Sequence, residues 1–319
     1  MELTFLGTGA GTPTKFRNVT SMVLNLQKEC GVSWMFDCGE GTQHQVLRTS
    51  LRLSRITRLF VTHLHGDHLF GIPGLLSTRS NHGAELPLTV YGPKGIAEYI
   101  QTSLRLSESR MKAPVTIVEI EEGVIFENAD FSVEAARVDH RIECFGYRIR
   151  EKDRPGTLDA AALKKLGIPA GPLFAALKRG ETVTLPDGQV VDGRSFVGPQ
   201  LPGRIVTIIG DTRPHPNAIR LGKDADLLVH EATFTKERED LAVDYGHSTA
   251  RQAAEIAKAA NARRLVMTHV SARYQGEEHV LLEEAREIFP STDYADDFLT
   301  VEVERKRTLR TEETKNIVE

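Results

Sequence analysis

The chain has 319 residues, a formal net charge of −4 at neutral pH and 40% hydrophobic residues. That length buries enough apolar surface to fold without disulfides or a structural metal, so any metal is expected to do chemistry. The negative balance excludes a surface coated in basic residues, and contact with nucleic acid has to come from local patches.

Cys30, Cys38 and Cys144 are odd in number and contain no C-x-x-C pair. They read as reduced thiols serving as small buried hydrophobes. The first residues show no basic segment followed by an apolar core, and no apolar run approaches the roughly 20 residues that cross a bilayer. A cytoplasmic location with no membrane partner is the expectation.

In chain order, apolar runs at 2–6, 21–26 and 33–36, separated by glycine turns, predict a meander of strands. The glycines Gly7, Gly9 and Gly11 lack the G-x-G-x-x-G spacing, and Thr12-Pro13-Thr14 cannot open the helix that a dinucleotide site needs. Four later apolar runs, 58–62, 131–138, 205–209 and 265–268, run into His63, Asp139-His140, Gly210-Asp211 and His269. Each candidate strand thus delivers a metal-competent residue at its C-terminal end.

Helices are predicted at 95–106, 248–260 and 280–288, with Ser248 and Thr249 placed to cap the second. Interleaved strands and helices predict an α/β sandwich, two sheets face to face with helices outside. The segment 151–194 breaks the rhythm. Pro155, Gly156, Gly167, Pro169, Gly171, Pro172, Gly180, Pro186 and Gly188 crowd it, and little strand character is left. It reads as an arm inserted into a single domain spanning 1–319.

The strongest signal is Thr62-His63-Leu64-His65-Gly66-Asp67-His68 directly after an apolar run. Imidazole and carboxylate are what Zn²⁺ accepts in an open catalytic site. His63 and His65 can face one metal from a strand end. Asp67 and His68, past the Gly66 turn, can face a second about 3.5–4 Å away. An aspartate bridges two ions best, and Asp211 is the natural candidate, with His140 and His269 completing the two shells.

His-x-His-x-Asp-His after a strand, followed by a lone His, Asp and His at strand ends, resembles the metallo-β-lactamase superfamily over nearly the whole chain. The resemblance implies an αββα sandwich with two Zn²⁺ per chain: His63, His65 and His140 on one, Asp67, His68 and His269 on the other, and Asp211 on both. Diiron relatives carry a glutamate where His65 stands.

The fold hosts several chemistries, so other segments must name the substrate. Pro13-Thr14-Lys15-Phe16-Arg17-Asn18 resembles the P-x-K-x-R-N loop of one branch of the ribonuclease Z family. Asp37-Cys38-Gly39-Glu40-Gly41-Thr42-Gln43, His230-Glu231-Ala232-Thr233 and His247-Ser248-Thr249 stand as that family's motifs do. Gly171-Pro172 resembles the tip of its flexible arm, which grips transfer RNA. Lys164, Lys165, Lys178 and Arg179 surround that tip and make a phosphate-binding pad without sequence readout.

The resemblance implies an endoribonuclease that removes the 3′ trailer of precursor tRNA just after the discriminator nucleotide, leaving a 3′-hydroxyl on the tRNA and a 5′-phosphate on the trailer. It implies Asp67 as metal ligand and proton acceptor, His247 as donor to the leaving oxygen, and Glu231 as its holder. Lys15 and Arg17 are expected to touch phosphate near the 3′ end. A homodimer, one subunit's arm serving the other's active site, is also implied. A hydrolase of small phosphodiesters would share the ligands but have no use for a basic arm. A non-catalytic RNA-binding subunit would show decayed ligands.

Overall fold

The computed structural model describes residues 1–185 and 187–305; Pro186 and 306–319 lie outside the described residues. The chain forms two compact units, one of Met1–Arg150 and Ile205–Glu304, the other of Glu151–Arg204 and, among the described residues, Arg305.

The first unit opens with β1 (Glu2–Gly7), β2 (Ser21–Leu26) and β3 (Val32–Phe36), an antiparallel meander. β4 (Ile56–Phe60), β5 (Leu88–Gly92) and β6 (Val115–Glu119) extend it in parallel. A second sheet begins with β7 (Gly123–Glu127), β8 (Phe131–Val138) and β9 (Cys144–Glu151). β10 (Thr182–Thr184) and β11 (Val190–Asp192) belong to the other unit. β12 (Ile205–Ile208), β13 (Leu227–Glu231), β14 (Leu265–Thr268) and β15 (Thr292–Tyr294) complete the second sheet, and β16 (Thr300–Glu302) returns to pair with β1. Each sheet has seven strands.

The alternation of side chains along the strands makes the layers. Trp34, Phe36 and Phe60 point from the first sheet into one core with Phe131, Tyr147, Val229 and Val266 of the second. Their neighbours Met35, Leu59 and Val61 point the other way, onto Leu75, Ile96 and Ile100 of the covering helices. On the opposite side Leu228 and Met267 pack on Ala253, Ala254 and Leu281. The result is the expected αββα sandwich. Among the described residues no helix is long and apolar enough to cross a membrane.

Some boundaries differ from the sequence expectation. β4 ends at Phe60 rather than at 62: Val61 still donates to the Tyr91 carbonyl of β5, but Thr62 N–H turns to the Asp37 carboxylate. Thr249 caps helix Ala250–Ala259 in a capping box with Gln252, whereas Ser248 bonds the Thr212 carbonyl instead. Cys38 and Cys144 are buried, but Cys30 is exposed.

The second unit is better built than its Gly and Pro content suggests. Helices Ala160–Lys165 and Pro172–Lys178 and the β10/β11 hairpin enclose Leu163, Ile168, Leu177, Leu185 and Val191. Buried Glu151 accepts from Arg204 Nε at 2.8 Å and pairs with Arg154 and Arg305. Lys164, Lys165 and Lys178 are exposed, as are Gly171 and Pro172 at the start of the second helix. Arg179 is exposed too but is held by Glu181 at 2.6 Å.

Candidate metal centre

The histidines and aspartates expected as ligands converge at one end of the first unit's strands. His63, His65, Asp67 and His68 follow β4; His140 follows β8, Asp211 follows β12, and His269 follows β14. His63, His65 and His140 offer ring nitrogens within 4.8 Å of one another, and Asp67, His68 and His269 form a second such group. Asp211 Oδ2 lies 3.7 Å from His63 Nε2, 3.4 Å from His68 Nε2 and 3.4 Å from His269 Nε2. One carboxylate therefore reaches both groups.

The donor set suits a metal because the outer nitrogen of each of four imidazoles is already occupied. His68 Nδ1 donates to Asp37 Oδ2 at 2.8 Å, and His140 Nδ1 to the Gly246 carbonyl at 2.7 Å. Thr62 Oγ1 donates to Asp37 and takes the proton of His63 Nδ1. Thr233 Oγ1 donates to Glu231 and does the same for His269 Nδ1. Every Nε2 of these four thus turns inward with its ring orientation fixed, the support that metal-binding histidines need. Nothing in the sequence singles out Asp37, Thr62 or Thr233 for this task. Asp37 heads the segment Asp37–Gln43, but its partner His68 lies 31 positions away.

Electrostatics agree with a cation at the centre. Burial lowers the pKa of His63, His65 and His140, keeping them neutral as ligands must be. Burial alone would raise Asp67 and Asp211, but the surrounding imidazoles hold both well below the usual carboxylate range. For His68 burial is outweighed by Asp211, Asp67 and Asp37, which hold a proton where a metal would sit. Asp37 and His269 also adopt left-handed backbone, φ 54° and 59°, a conformation costing about 1–3 kcal/mol and concentrated at functional sites.

Two glycines set the close approaches. A Cβ on Gly39 would stand 2.4 Å from the Asp67 carbonyl oxygen, and one on Gly210 would stand 2.6 Å from Cys144 Sγ and 2.8 Å from Thr62 Cβ. Gly210→Ala is therefore expected to destabilise the fold by about 1–3 kcal/mol through overpacking, and to displace Asp211. Thermal unfolding checks this, and an unchanged melting temperature would contradict it.

Glu231, at the end of β13, is buried and accepts from Thr212 N, Ser248 N, Thr233 N and Thr233 Oγ1, and pairs with His247 Nδ1 at 3.1 Å. Burial disfavours the charged form of His247, but Glu231 and Asp211 outweigh it and raise the pKa to about 9. His247 Nδ1 also lies 3.8 Å from Asp211 Oδ2, and the ring stands within ligand reach of Asp211 and His269. Its bond to Glu231 commits Nδ1, and among the described residues Nε2 has no hydrogen bond. His230 is buried with Nδ1 on the Glu231 carbonyl, and burial keeps its pKa low.

In the loop 13–18 the two cations stand differently. Lys15 is exposed, but Arg17 is engaged by the fold. Its Nη1 donates to the Ala295 carbonyl at 2.9 Å, its Nη2 pairs with Asp296, and its guanidinium lies over Tyr294. Arg17 anchors the loop. At the base of the loop, the Gly11 N–H donates to Asp67 Oδ2 at 2.8 Å.

Comparisons with known proteins agree with this geometry. A model of the β-lactamase superfamily domain matches residues 193–270, and one of the anti-Pycsar protein Apyc1 matches 1–153. The chain is 55% identical over 307 residues to ribonuclease Z of Bacillus cereus (strain AH187), covering 96% of this chain and 100% of the relative. It is 53% identical over 306 residues to ribonuclease Z of Geobacillus kaustophilus (strain HTA426), with the same coverage. Human tRNase Z, short form, superposes with a TM-score of 0.68 at 31% identity, over 95% of this chain and 100% of that one. The metallo-β-lactamase fold protein YhfI of Bacillus subtilis, 18% identical, shares the fold with a TM-score of 0.66 over 94% of this chain and 98% of that one. Similarity of this depth over nearly all of the chain, on this fold, places the chain in the ribonuclease Z family of endoribonucleases.

Proposed function

We propose that the chain is a zinc-dependent endoribonuclease that removes the 3′ trailer of precursor tRNA. The cut falls just after the discriminator nucleotide and leaves a 3′-hydroxyl on the tRNA and a 5′-phosphate on the trailer. The observation that carries this reading is the reach of Asp211 Oδ2 to imidazoles of both ligand groups. Relatives named ribonuclease Z and tRNase Z support the substrate.

In this reading His63, His65 and His140 hold one zinc, Asp67, His68 and His269 the second, and Asp211 both. Zinc bound there would supply a water with a pKa of about 7 and would offset charge on the phosphate. Asp67, its Oδ2 steadied by Gly11, accepts the proton of the attacking water. His247, kept charged by Glu231, donates from Nε2 to the leaving 3′-oxygen. Asp67→Ala is expected to abolish turnover while precursor binding stays nearly intact. Cleavage surviving within about tenfold, only about 1.4 kcal/mol, would rule out that role.

The second unit acts as the tRNA-gripping arm, with Gly171-Pro172 at its tip and Lys164, Lys165, Lys178 and Arg179 on phosphates. Two chains pair so that each arm serves the partner's active site, in the cytoplasm. Lys15 is the loop cation left for phosphate near the 3′ end. Changing the four arm cations to Gln together is expected to flatten the salt dependence of precursor binding, the slope falling by roughly 0.9 for each duplex phosphate no longer neutralised.

The test of the activity itself compares a precursor tRNA with a linear RNA carrying the same junction. The expected result is kcat/KM at least about 100-fold higher for the folded precursor, worth roughly 2.7 kcal/mol. Equal rates would reduce the protein to an unselective phosphodiesterase.

A further inference from the structure

We propose that Arg141 and Arg273 grip the phosphates on either side of the scissile bond. The inference rests on the reading of the site as an RNA-cutting centre. Both side chains line the pocket of ≈ 320 Å³ that also contains His65, His140, His247 and His269. Arg141 directly follows His140, a member of the first ligand group. Arg273 sits in the turn Ala272–Tyr274, four residues beyond His269 of the second group. Each group of ligands therefore carries its own cation at the rim.

Both arginines are exposed, and among the described residues neither guanidinium has a hydrogen bond or ion pair. That sets them apart from their neighbours. Three carboxylates near them in sequence pair with other arginines: Asp139 with Arg213 at 3.4 Å, Glu143 with Arg137 at 2.9 Å, and Glu278 with Arg17 at 3.5 Å. Two guanidiniums are thus held back from local pairing at the mouth of the pocket that an anionic chain must enter.

The chemistry of the substrate fits this placement. A strand crossing the centre puts one phosphate over the ligand groups and carries the next phosphate out past each side. A guanidinium fork binds phosphate in a bidentate way that an ammonium cannot copy. A small diester has no flanking phosphate, so it has nothing to offer these residues.

The experiment measures kcat/KM for Arg141→Gln and Arg273→Gln on a precursor tRNA and on a small chromogenic phosphodiester, over a range of salt. For each variant the precursor value is expected to fall at least about fivefold further than the small-diester value. The slope of log kcat/KM against log salt is expected to flatten by roughly 0.7, the share of one single-strand phosphate that is no longer neutralised. Arg141→Lys and Arg273→Lys should restore the slope but only part of the rate, which separates phosphate binding from a folding defect. Parallel losses on both substrates, or an unchanged slope, would overturn the proposal while leaving the endonuclease reading intact. A wild-type protein that failed to cut the precursor would overturn that reading and this inference with it.

Discussion

Asp211→Asn is expected to slow precursor cleavage by about 10⁴-fold, roughly 5.4 kcal/mol of transition-state stabilisation, and to leave the protein holding about one metal ion instead of two. The substitution preserves volume, so the buried site is not emptied. It removes the charge that lies 3.4 Å from His68 Nε2 and from His269 Nε2 and 3.7 Å from His63 Nε2. An amide is uncharged and offers one acceptor oxygen in place of the carboxylate's two, so it would hold cations there far less well. Metal analysis together with single-turnover cleavage checks both halves. A variant that kept two ions and slowed by less than about tenfold would show that Asp211 does not join the two shells.

His247→Ala is expected to lower kcat by about 10²–10⁴-fold, the usual weight of a proton donor, with metal content unchanged. The pH profile gives the sharper reading. A donor with its pKa raised to about 9 is protonated at neutral pH, so activity falls on the alkaline side as the proton leaves. The variant, already lacking that donor, should show no such alkaline limb. The same shift adds stability that is full below about pH 6.5 and disappears as the pH rises through about 9. Glu231 is a poorer probe, because truncating it would orphan the buried N–H groups of Thr212, Thr233 and Ser248 at a cost of about 1–3 kcal/mol each. An alkaline limb that persisted in His247→Ala would assign the titration to another group.

The candidate ligands are more legible in the sequence than the groups that hold them. The cluster from His63 to His68 is local, and the apolar runs before His140, Asp211 and His269 end abruptly enough to be read as strand ends. β8 and β14 fall where those runs predict. The supports are different in kind. Asp37 meets His68, Thr233 meets His269, and Gly246 meets His140 only once segments far apart in the chain are brought side by side, and no periodicity encodes such pairings. β16 pairs with β1 from the far end of the described chain, for the same reason out of reach of pattern reading.

Charge is the least legible property. Lys15 and Arg17 look alike in the sequence, yet Arg17 is tied to Asp296 and Ala295 while Lys15 is exposed. Arg141 and Arg273 look like ordinary surface residues until the fold places both beside the ligand groups. In the second unit the crowd of Gly and Pro hides a small core around Leu163, Ile168 and Leu177, because three-residue strands and single-turn connections leave too little period to detect.

The most direct test is to incubate the purified protein, loaded with zinc, with an unmodified precursor tRNA that lacks CCA and carries a 3′ trailer, and to map both new ends. The expected result is a single cut just after the discriminator, with a 3′-hydroxyl on the tRNA and a 5′-phosphate on the trailer, abolished by chelation and restored by zinc. A cut elsewhere in the trailer, inverted end chemistry, or cleavage that survives removal of all metal would contradict it.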